Sequence, residues 1–296
     1  MDNNQKKKKS GVVILTYNNS ELVLTLVDRI IEETIFDYIV IVDNCSTDDT
    51  SDVLQSAFSD KKIVCLLTSK VNGGYAKGNN LGANELLKHS ELQYLFFANP
   101  DVIITAQNVE KVIEELRKKE FSLVAPVMLK PDKTVDEYNY WDEPTFKSEL
   151  LDCFYFYRRA TANVKKKQID YSVPVMDVFA VTGSFFGISR DAFVKIGGFD
   201  EGTFLFCEEN IIGTKLKRNG LKTGILTRAT YIHNHSTIID KSFKAPNRLK
   251  IQQASHFYYV KTYITRNSLK LVALRLCQKI WLVESYIKAA VKNTIK

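Results

Sequence analysis

The stretch Leu95-Phe96-Phe97-Ala98-Asn99-Pro100-Asp101-Val102 decides how the chain is read. A short apolar run rich in aromatic residues and closed by Pro predicts a buried strand that stops at its carboxyl edge. Ligands of open α/β sheets bind in the crevice outside such strand ends. Asp101 would then stand at the mouth of a site, where a carboxylate holds a hard cation such as Mg2+ or Mn2+. The same residues also read as a strand closed by an ordinary turn, which Asn-Pro often starts.

Upstream, strands and helices alternate. Gly11 to Thr16 is a β-branched run ending in Thr16-Tyr17-Asn18-Asn19, and helical spacing follows through Leu22, Leu26, Val27, Ile30 and Ile31. Tyr38 to Val42 ends in Asp43-Asn44-Cys45-Ser46-Thr47-Asp48-Asp49. A helix over Thr50 to Phe58 follows, with Asp48 and Asp49 as capping residues. Ile63 to Leu67 is a third strand, and Gly73-Gly74 opens a helical segment, Ala76 to His89. Short connections between alternating elements imply a parallel sheet covered on both faces, with right-handed crossovers. Neither GxGxxG directly after the first strand nor GxxxxGK[ST] is present, so dinucleotide and P-loop readings are poor.

Downstream, residues 126–173 are less regular. Trp141-Asp142-Glu143-Pro144, Phe154 to Arg159 and Lys165-Lys166-Lys167 read either as a platform for sugar or phosphate, or as an insertion with a partly buried helix. Val178 to Ile188 reads as two strands meeting at Gly183. Gly197-Gly198-Phe199-Asp200-Glu201 comes next. The apolar run from Phe204 then ends in Glu208-Glu209-Asn210, before a helix over Ile211 to Arg218. Ile225 to Tyr231 is a strand leading into Ile232-His233-Asn234-His235-Ser236. Asn267 to Lys292 has helical spacing, with Leu269, Val272, Leu276, Ile280, Val283 and Ile287 on one face and Arg275, Lys279, Lys288 and Lys292 largely on another. Such a helix suits an anionic membrane surface. It equally suits packing on the domain or on a second subunit, as in a homodimer.

The 296 residues are 45% hydrophobic, enough for a sizeable core. No run of ~18 uncharged apolar residues suggests a membrane span. Residues 1–9 are polar and lysine-rich, without the apolar core of a signal peptide. The five cysteines are scattered, which suits a reducing, cytoplasmic setting and argues against a zinc site. A net charge of +7 points to a phosphate-bearing ligand or an anionic surface. No Arg/aromatic module for nucleic acid is apparent.

The polar strand ends form a set: Thr16/Asn18, Asp43/Ser46, Gly73/Gly74/Asn79, Asp101, Glu208/Glu209 and His233/His235. Here the chain resembles the family-2 inverting glycosyltransferases of the GT-A fold, with the rhamnosyltransferase-like bacterial members the nearest in character. The matching pieces are VVILTYNN, IVIVDNCSTDDT, NGGYAKGNNLGA, FFANPDV, VTGSFFGISRDAFVKIGGFDE, FLFCEEN and IHNHS, in family order from Val12 to Ser236. The resemblance implies a Rossmann-like nucleotide-binding α/β domain over residues 11–240, in a nucleotide-binding half (11–105) and an acceptor-binding half (106–240). A basic tail (1–10) would precede it and a helical segment (241–296) follow it.

The resemblance also assigns roles. Asp101 takes the last acidic place of the family's Asp-X-Asp motif, and Asn99 departs from the Asp that many members carry there. The family's late metal-binding His matches His233, with His235 as the alternate, so Mn2+ or Mg2+ is the expected cofactor. Glu209, paired with Glu208, matches the catalytic base. Asp43 matches the residue that holds the pyrimidine, with Ser46, Thr16, Asn18, Asn79 and Asn99 near the nucleotide. Gly73 and Gly74 allow close backbone approach to it, and Gly183 and Asp200 lie by the donor sugar and the acceptor. The implied reaction moves a sugar from dTDP-L-rhamnose or a UDP-hexose to a hydroxyl of a saccharide or lipid-linked acceptor in polysaccharide synthesis. A sugar-phosphate nucleotidyltransferase is an alternative, but it would need a Gly- and Arg/Lys-rich loop where TYNNSELV stands. A non-catalytic nucleotide-sugar-binding subunit is another.

Overall fold

The computed structural model describes residues 9–161, 168–234 and 245–294, and side chains in the last segment over 247–286. β1 (Ser10–Thr16), α1 (Ser20–Glu32), β2 (Tyr38–Asp43), α2 (Thr50–Phe58), β3 (Val64–Thr68), α3 (Gly74–Leu86) and β4 (Tyr94–Ala98) alternate along the first third. After β5 (Val102–Ile103) and α4 (Ala106–Arg117) come β6 (Leu123–Leu129), β7 (Tyr140–Trp141), α5 (Phe146–Leu151), α6 (Tyr155–Thr161), β8 (Val175–Val178) and β9 (Ala180–Val181). β10 (Phe185–Ser189), α7 (Arg190–Lys195), α8 (Glu208–Arg218) and β11 (Thr223–His233) follow. The described chain closes with α9 (Ala245–Tyr259), a π-helical stretch (Val260–Ile264) and α10 (Ser268–Thr294).

The main sheet runs β3-β2-β1-β4-β10-β6-β11-β5, with β8 also paired to β11. β1 to β4 pair in parallel, and β10 enters antiparallel between β4 and β6. Successive strand residues point to opposite faces. Val12 and Ile14 therefore pack under α1, α2 and α4, while Val13 packs under α3 and α7. Phe96 and Phe97 are fully buried, one on each face. Burial of each contributes about 1.5–3 kcal/mol. Helix entrances follow the local sequence: Asn19 Oδ1 accepts from Leu22 N–H at 3.3 Å, and Asp48 Oδ1 from Thr50 N–H at 3.0 Å. Asp49 occupies the N-cap of α2 without a side-chain bond.

The stretch from Pro126 was expected to be irregular, yet β6 continues through it to Leu129. Proline cannot donate to a ladder. Its neighbour accommodates this: β11 pairs Leu226 with Pro126 and Thr230 with Val127, so residues 227–229 bulge past the proline. The Thr227 Oγ1 hydroxyl donates to Val173 O at 2.7 Å, which anchors the bulge.

α9, the π-helical stretch and α10 fold back onto the domain around Cys153, Val260 and Leu274. α9 lies within the segment 241–296 that was expected to be helical. The Arg158 guanidinium lies 4.6 Å from the Trp281 ring centroid, so the aromatic-basic segment at Phe154 to Arg159 docks α10. Lys165 to Lys167 lie outside the described residues.

Candidate active site

Parallel register sets strand ends side by side: Thr16 opposite Asp43, and Ile14 opposite Ala98. Asp43 is buried, and its Oδ1 accepts from Ser46 N–H (3.1 Å) and Ser46 Oγ (2.5 Å). Ser46 Oγ in turn accepts from Asn18 N–H at 2.8 Å, and Asn18 Oδ1 accepts from Thr47 N–H at 2.7 Å. Asn18 holds this position with φ 52°, a left-handed conformation that Asn tolerates better than most residues. Thr16 Oγ1 donates to Asn19 O at 3.2 Å. The loops after β1 and β2 are thus tied into one rim.

Asn44, which the sequence reading passed over, latches the next segment. Its Nδ2 donates to Asn72 Oδ1 (3.0 Å) and Gly74 O (3.1 Å), and its Oδ1 accepts from Gly73 N–H (3.1 Å). Asn79 is buried in α3, where its Nδ2 donates to Tyr75 O at 3.0 Å.

The paired carboxylates open α8 rather than preceding it, with the helix beginning at Glu208. Phe206 (φ 75°) and Cys207 (φ 69°) enter it through two successive left-handed residues. Such non-Gly conformations cost of order 1–3 kcal/mol each and persist only where their surroundings impose them. Here the loop is held from both sides. Tyr75 N–H donates to Phe204 O at 2.9 Å, and Ser255 Oγ on α9 donates to Leu205 O at 2.7 Å.

Glu208 is 8% exposed, and its Oε2 has no hydrogen-bond partner among the described residues. Glu209 keeps an accessible edge, and its Oε1 accepts from Gly183 N–H at 3.3 Å. Tyr75 Oη donates to Gly183 O at 2.7 Å. Burial raises the Glu208 carboxyl well above its ordinary value, and the Glu209 charge adds to this. Burial also raises Glu209, against the pull of backbone N–H groups including that of Gly183. Burial and then the two carboxylates push the Tyr75 phenol up, which keeps it a neutral donor.

The raised Glu208 carboxyl has a consequence for stability. The cost of burying its charge is absent below the ordinary glutamate pKa of about 4.3, where both folded and unfolded chains are protonated. The cost grows as pH rises through the folded-state value. Glu208→Gln is therefore expected to raise the unfolding midpoint of the ligand-free protein at neutral pH. The gain should vanish towards pH ~4. Thermal unfolding at the two pH values measures it, and a variant no more stable at neutral pH would refute the assignment.

Asn99 N–H donates to Ser184 O at 2.8 Å, and Ser184 Oγ lies 2.7 Å from Tyr231 Oη in a buried contact. Two consecutive residues, Gly183 and Ser184, thereby connect the carboxylate pair to the Asn99-Pro100-Asp101 strand end. Asp101 is buried, and its Oδ1 stands 3.2 Å from His233 Nε2. Pairing of β5 with β11 places His233 opposite Val102, and Asn234 N–H donates to Asp101 O at 2.9 Å. The pair offers one carboxylate and one imidazole. No group of three or more His, Cys, Asp or Glu gathers among the described residues. His235 lies outside them.

Asp200 points elsewhere. Its carboxylate accepts from Tyr258 Oη (2.9 and 3.1 Å), from Tyr263 Oη and from Gly202 N–H (2.8 Å). Burial alone would raise its pKa, but the hydrogen bonds from Tyr263, Gly202 and Tyr258 hold it below the usual value. Asp200 thus clamps the C-terminal helices onto the loop that delivers Glu208 and Glu209. The sequence carried no local signal for this, because the two tyrosines lie 58 and 63 residues away.

Residues 11–197 match the family model described as Glycosyl transferase family 2. The rhamnosyltransferase WbbL of Escherichia coli (strain K12) is 24% identical over 179 residues, covering 58% of this chain and 66% of the relative. The low-salt glycan biosynthesis hexosyltransferase Agl10 of Haloferax volcanii is 24% identical over 226 residues, covering 76% and 66%. The chain therefore spans just under two thirds of the length of either curated relative. Among solved structures, GalNAc-T7 with UDP, GalNAc and Mn2+ superposes with a TM-score of 0.60 at 14% identity, over 97% of this chain and 58% of that one. This likeness shows the GT-A fold.

Proposed function

The chain belongs to glycosyl transferase family 2, and from that membership we propose an inverting transferase that moves a hexosyl unit from a nucleotide-sugar to an acceptor hydroxyl. Cell-surface polysaccharide synthesis is the proposed setting and dTDP-L-rhamnose or a UDP-hexose the proposed donor class; relatives named as a rhamnosyltransferase and as a hexosyltransferase of low-salt glycan biosynthesis support glycan synthesis. Residues 11–240 form the transferase domain, with nucleotide binding in 11–105 and acceptor binding in 106–240. Residues 241–296 are the C-terminal segment, helical over 245–259 and 268–294 among the described residues. One observation carries the reading: Gly183 N–H holds Glu209 while the next residue, Ser184, holds Asn99. A base and a diphosphate-binding strand end thus share one support.

Asp43, Ser46, Thr16 and Asn18 form the rim that receives the nucleoside, and Asn99 offers an amide beside the ribose. Of the glycine pair, Gly73 is the one assigned to the nucleotide, because Phe204 O takes the space beside Gly74. Glu209 accepts the proton of the acceptor hydroxyl as that oxygen attacks the anomeric carbon. The bond from that carbon to the diphosphate oxygen breaks on the opposite face, and its electron pair leaves with the nucleoside diphosphate. One displacement inverts the centre. Glu208 keeps a second carboxyl beside Glu209, while burial is what holds the Glu209 pKa up.

Asp101 and His233 would hold a divalent cation, Mn2+ or Mg2+. A carboxylate oxygen and an imidazole nitrogen fit such an ion when substrate phosphates and water fill its other positions. When bound, the cation supplies Lewis-acid stabilisation of the diphosphate leaving group. With Asn at position 99, Asp101 is the one acidic side chain of the motif, and His233 matters correspondingly more.

Thermal unfolding with a series of nucleotide-sugars tests the reading, since a ligand at 100 times its Kd stabilises by about 2.7 kcal/mol. The expected result is stabilisation by dTDP- or UDP-sugars that depends on Mn2+ or Mg2+ and is lost in chelator. Asp101→Asn should abolish the metal dependence. Equal stabilisation in chelator would refute the metal site, and no response to any nucleotide-sugar would refute the function.

A further inference from the structure

α10 docks on the domain through Leu271, Leu274, Cys277 and Trp281, with the polar Gln278 among them. Leu274 and Gln278 are buried, and Gln278 Nε2 donates to Gln253 O at 2.9 Å and lies 3.1 Å from His256 Nδ1. A second apolar stripe is turned outward. Leu269 (81% exposed), Val272 (58%), Leu276 (55%), Ile280 (46%) and Val283 (57%) fall within one narrow stripe at 100° per residue. From Leu269 to Val283 that stripe is about 21 Å long at 1.5 Å per residue. A docked helix that still shows water a second, contiguous apolar stripe has another surface to meet.

Charge identifies that surface. Residues 245–296 hold ten Lys or Arg and a single acidic residue, Glu284, a net charge of +9. Residues 1–244 hold 31 basic and 33 acidic residues, a net charge of −2. The whole positive excess therefore sits on the segment that carries the stripe. Lys261, Arg266, Lys270, Arg275 and Lys279 are exposed along it. Two copies meeting by this face would set +9 against +9, which opposes a homodimer. No helix among the described residues is long and apolar enough to cross a membrane. Apolar residues on an exposed helix face flanked by lysine and arginine match a helix lying in the headgroup boundary of an anionic bilayer.

We propose that the outward stripe Leu269-Val272-Leu276-Ile280-Val283, with its basic flanks, is a docking surface for an anionic lipid bilayer. Docking there would bring the enzyme to acceptors carried on lipid, and that last step alone rests on the glycosyl-transfer reading. α9 belongs to the same segment and holds the loop before Glu208 through Ser255 and Tyr258. The dock and the proposed base are thus mechanically joined.

The test is co-sedimentation of the full chain with vesicles of mixed phosphatidylglycerol and phosphatidylcholine, against phosphatidylcholine alone, without substrates. Binding to the anionic vesicles, weakened by added salt, is expected. The pair Leu276→Asp and Ile280→Asp should lower the partition coefficient roughly tenfold or more. The set Lys261→Glu, Arg266→Glu and Lys279→Glu should do the same. All five positions are exposed, so unchanged unfolding midpoints confirm that the variants are folded. Failure of the wild type to bind anionic vesicles would overturn the proposal. So would a wild-type dimer in light scattering that Leu276→Asp and Ile280→Asp dissociate, because the stripe would then be a contact between copies. Neither result bears on nucleotide-sugar binding, so this proposal and the enzymatic one fail separately.

Discussion

Glu209→Gln is expected to lower the rate of sugar transfer by about 10²–10⁴-fold, the usual contribution of a positioned general base. Gln keeps the shape of the side chain and an oxygen that accepts the Gly183 N–H bond now made at 3.3 Å. Folding and nucleotide-sugar binding should therefore survive, which separates loss of the base from collapse of the site. The pH profile carries a second signature. Burial raises the Glu209 carboxyl, so the base is protonated over a wider acid range than an ordinary glutamate. Transfer by the wild type should fall on an acid limb centred above the unperturbed value of about 4.3. That limb belongs to the Glu208–Glu209 pair as a whole, since the two titrations interact. A Gln variant that transfers sugar as fast as the wild type would show that another group takes the proton.

Gly74→Ala is expected to have the second large effect, on fold and activity together. Gly74 has φ +77°, and a Cβ built there would stand 1.9 Å from Phe204 O, a backbone atom that cannot swing aside. Left-handed strain and forced overlap each cost of order 1–3 kcal/mol. A loss of more than about 2 kcal/mol in denaturant unfolding is expected on those terms. The displaced carbonyl is the one that Tyr75 N–H holds, four residues before Glu208. Activity should therefore fall further than the fraction unfolded explains. Gly197→Ala is the control. Its φ is +69°, but a Cβ there meets nothing within 4 Å. It should cost only the left-handed term, about 1–2 kcal/mol, and leave the site intact. Similar losses for the two variants would refute the close approach at Gly74.

Much of the fold was legible because its signals are local. A β-branched or aromatic apolar run that ends in polar residues announces a buried strand and its edge within a few positions, as at Thr16, Asp43 and Asp101. Where a signal was non-local the reading faltered. Residues 126–173 read as less regular, whereas β6 runs on through Pro126 because a bulge in β11, about a hundred residues on, accommodates it. The insertion of β10 antiparallel between β4 and β6 left no periodicity to find. At the site, Tyr75 and Asn44 went unread because an ordinary helix tyrosine and an ordinary loop asparagine become important only through partners elsewhere in the chain.

The sequence by itself determined the α/β class, the family and which side chains lie at strand ends, because these follow from local periodicity and from motifs in a given order. Only the tertiary structure decided which of them meet. It joined Asp101 to His233 and Glu209 to Gly183, across 132 and 26 residues respectively. It committed Asp200 to Tyr258 and Tyr263 rather than to open space. It also turned the apolar stripe of α10 away from the domain. The 3.6-residue period shows that a helix has an apolar face, but which surface that face meets depends on how the docked side packs. Here the buried Gln278, bonded to Gln253 and His256, settles that orientation.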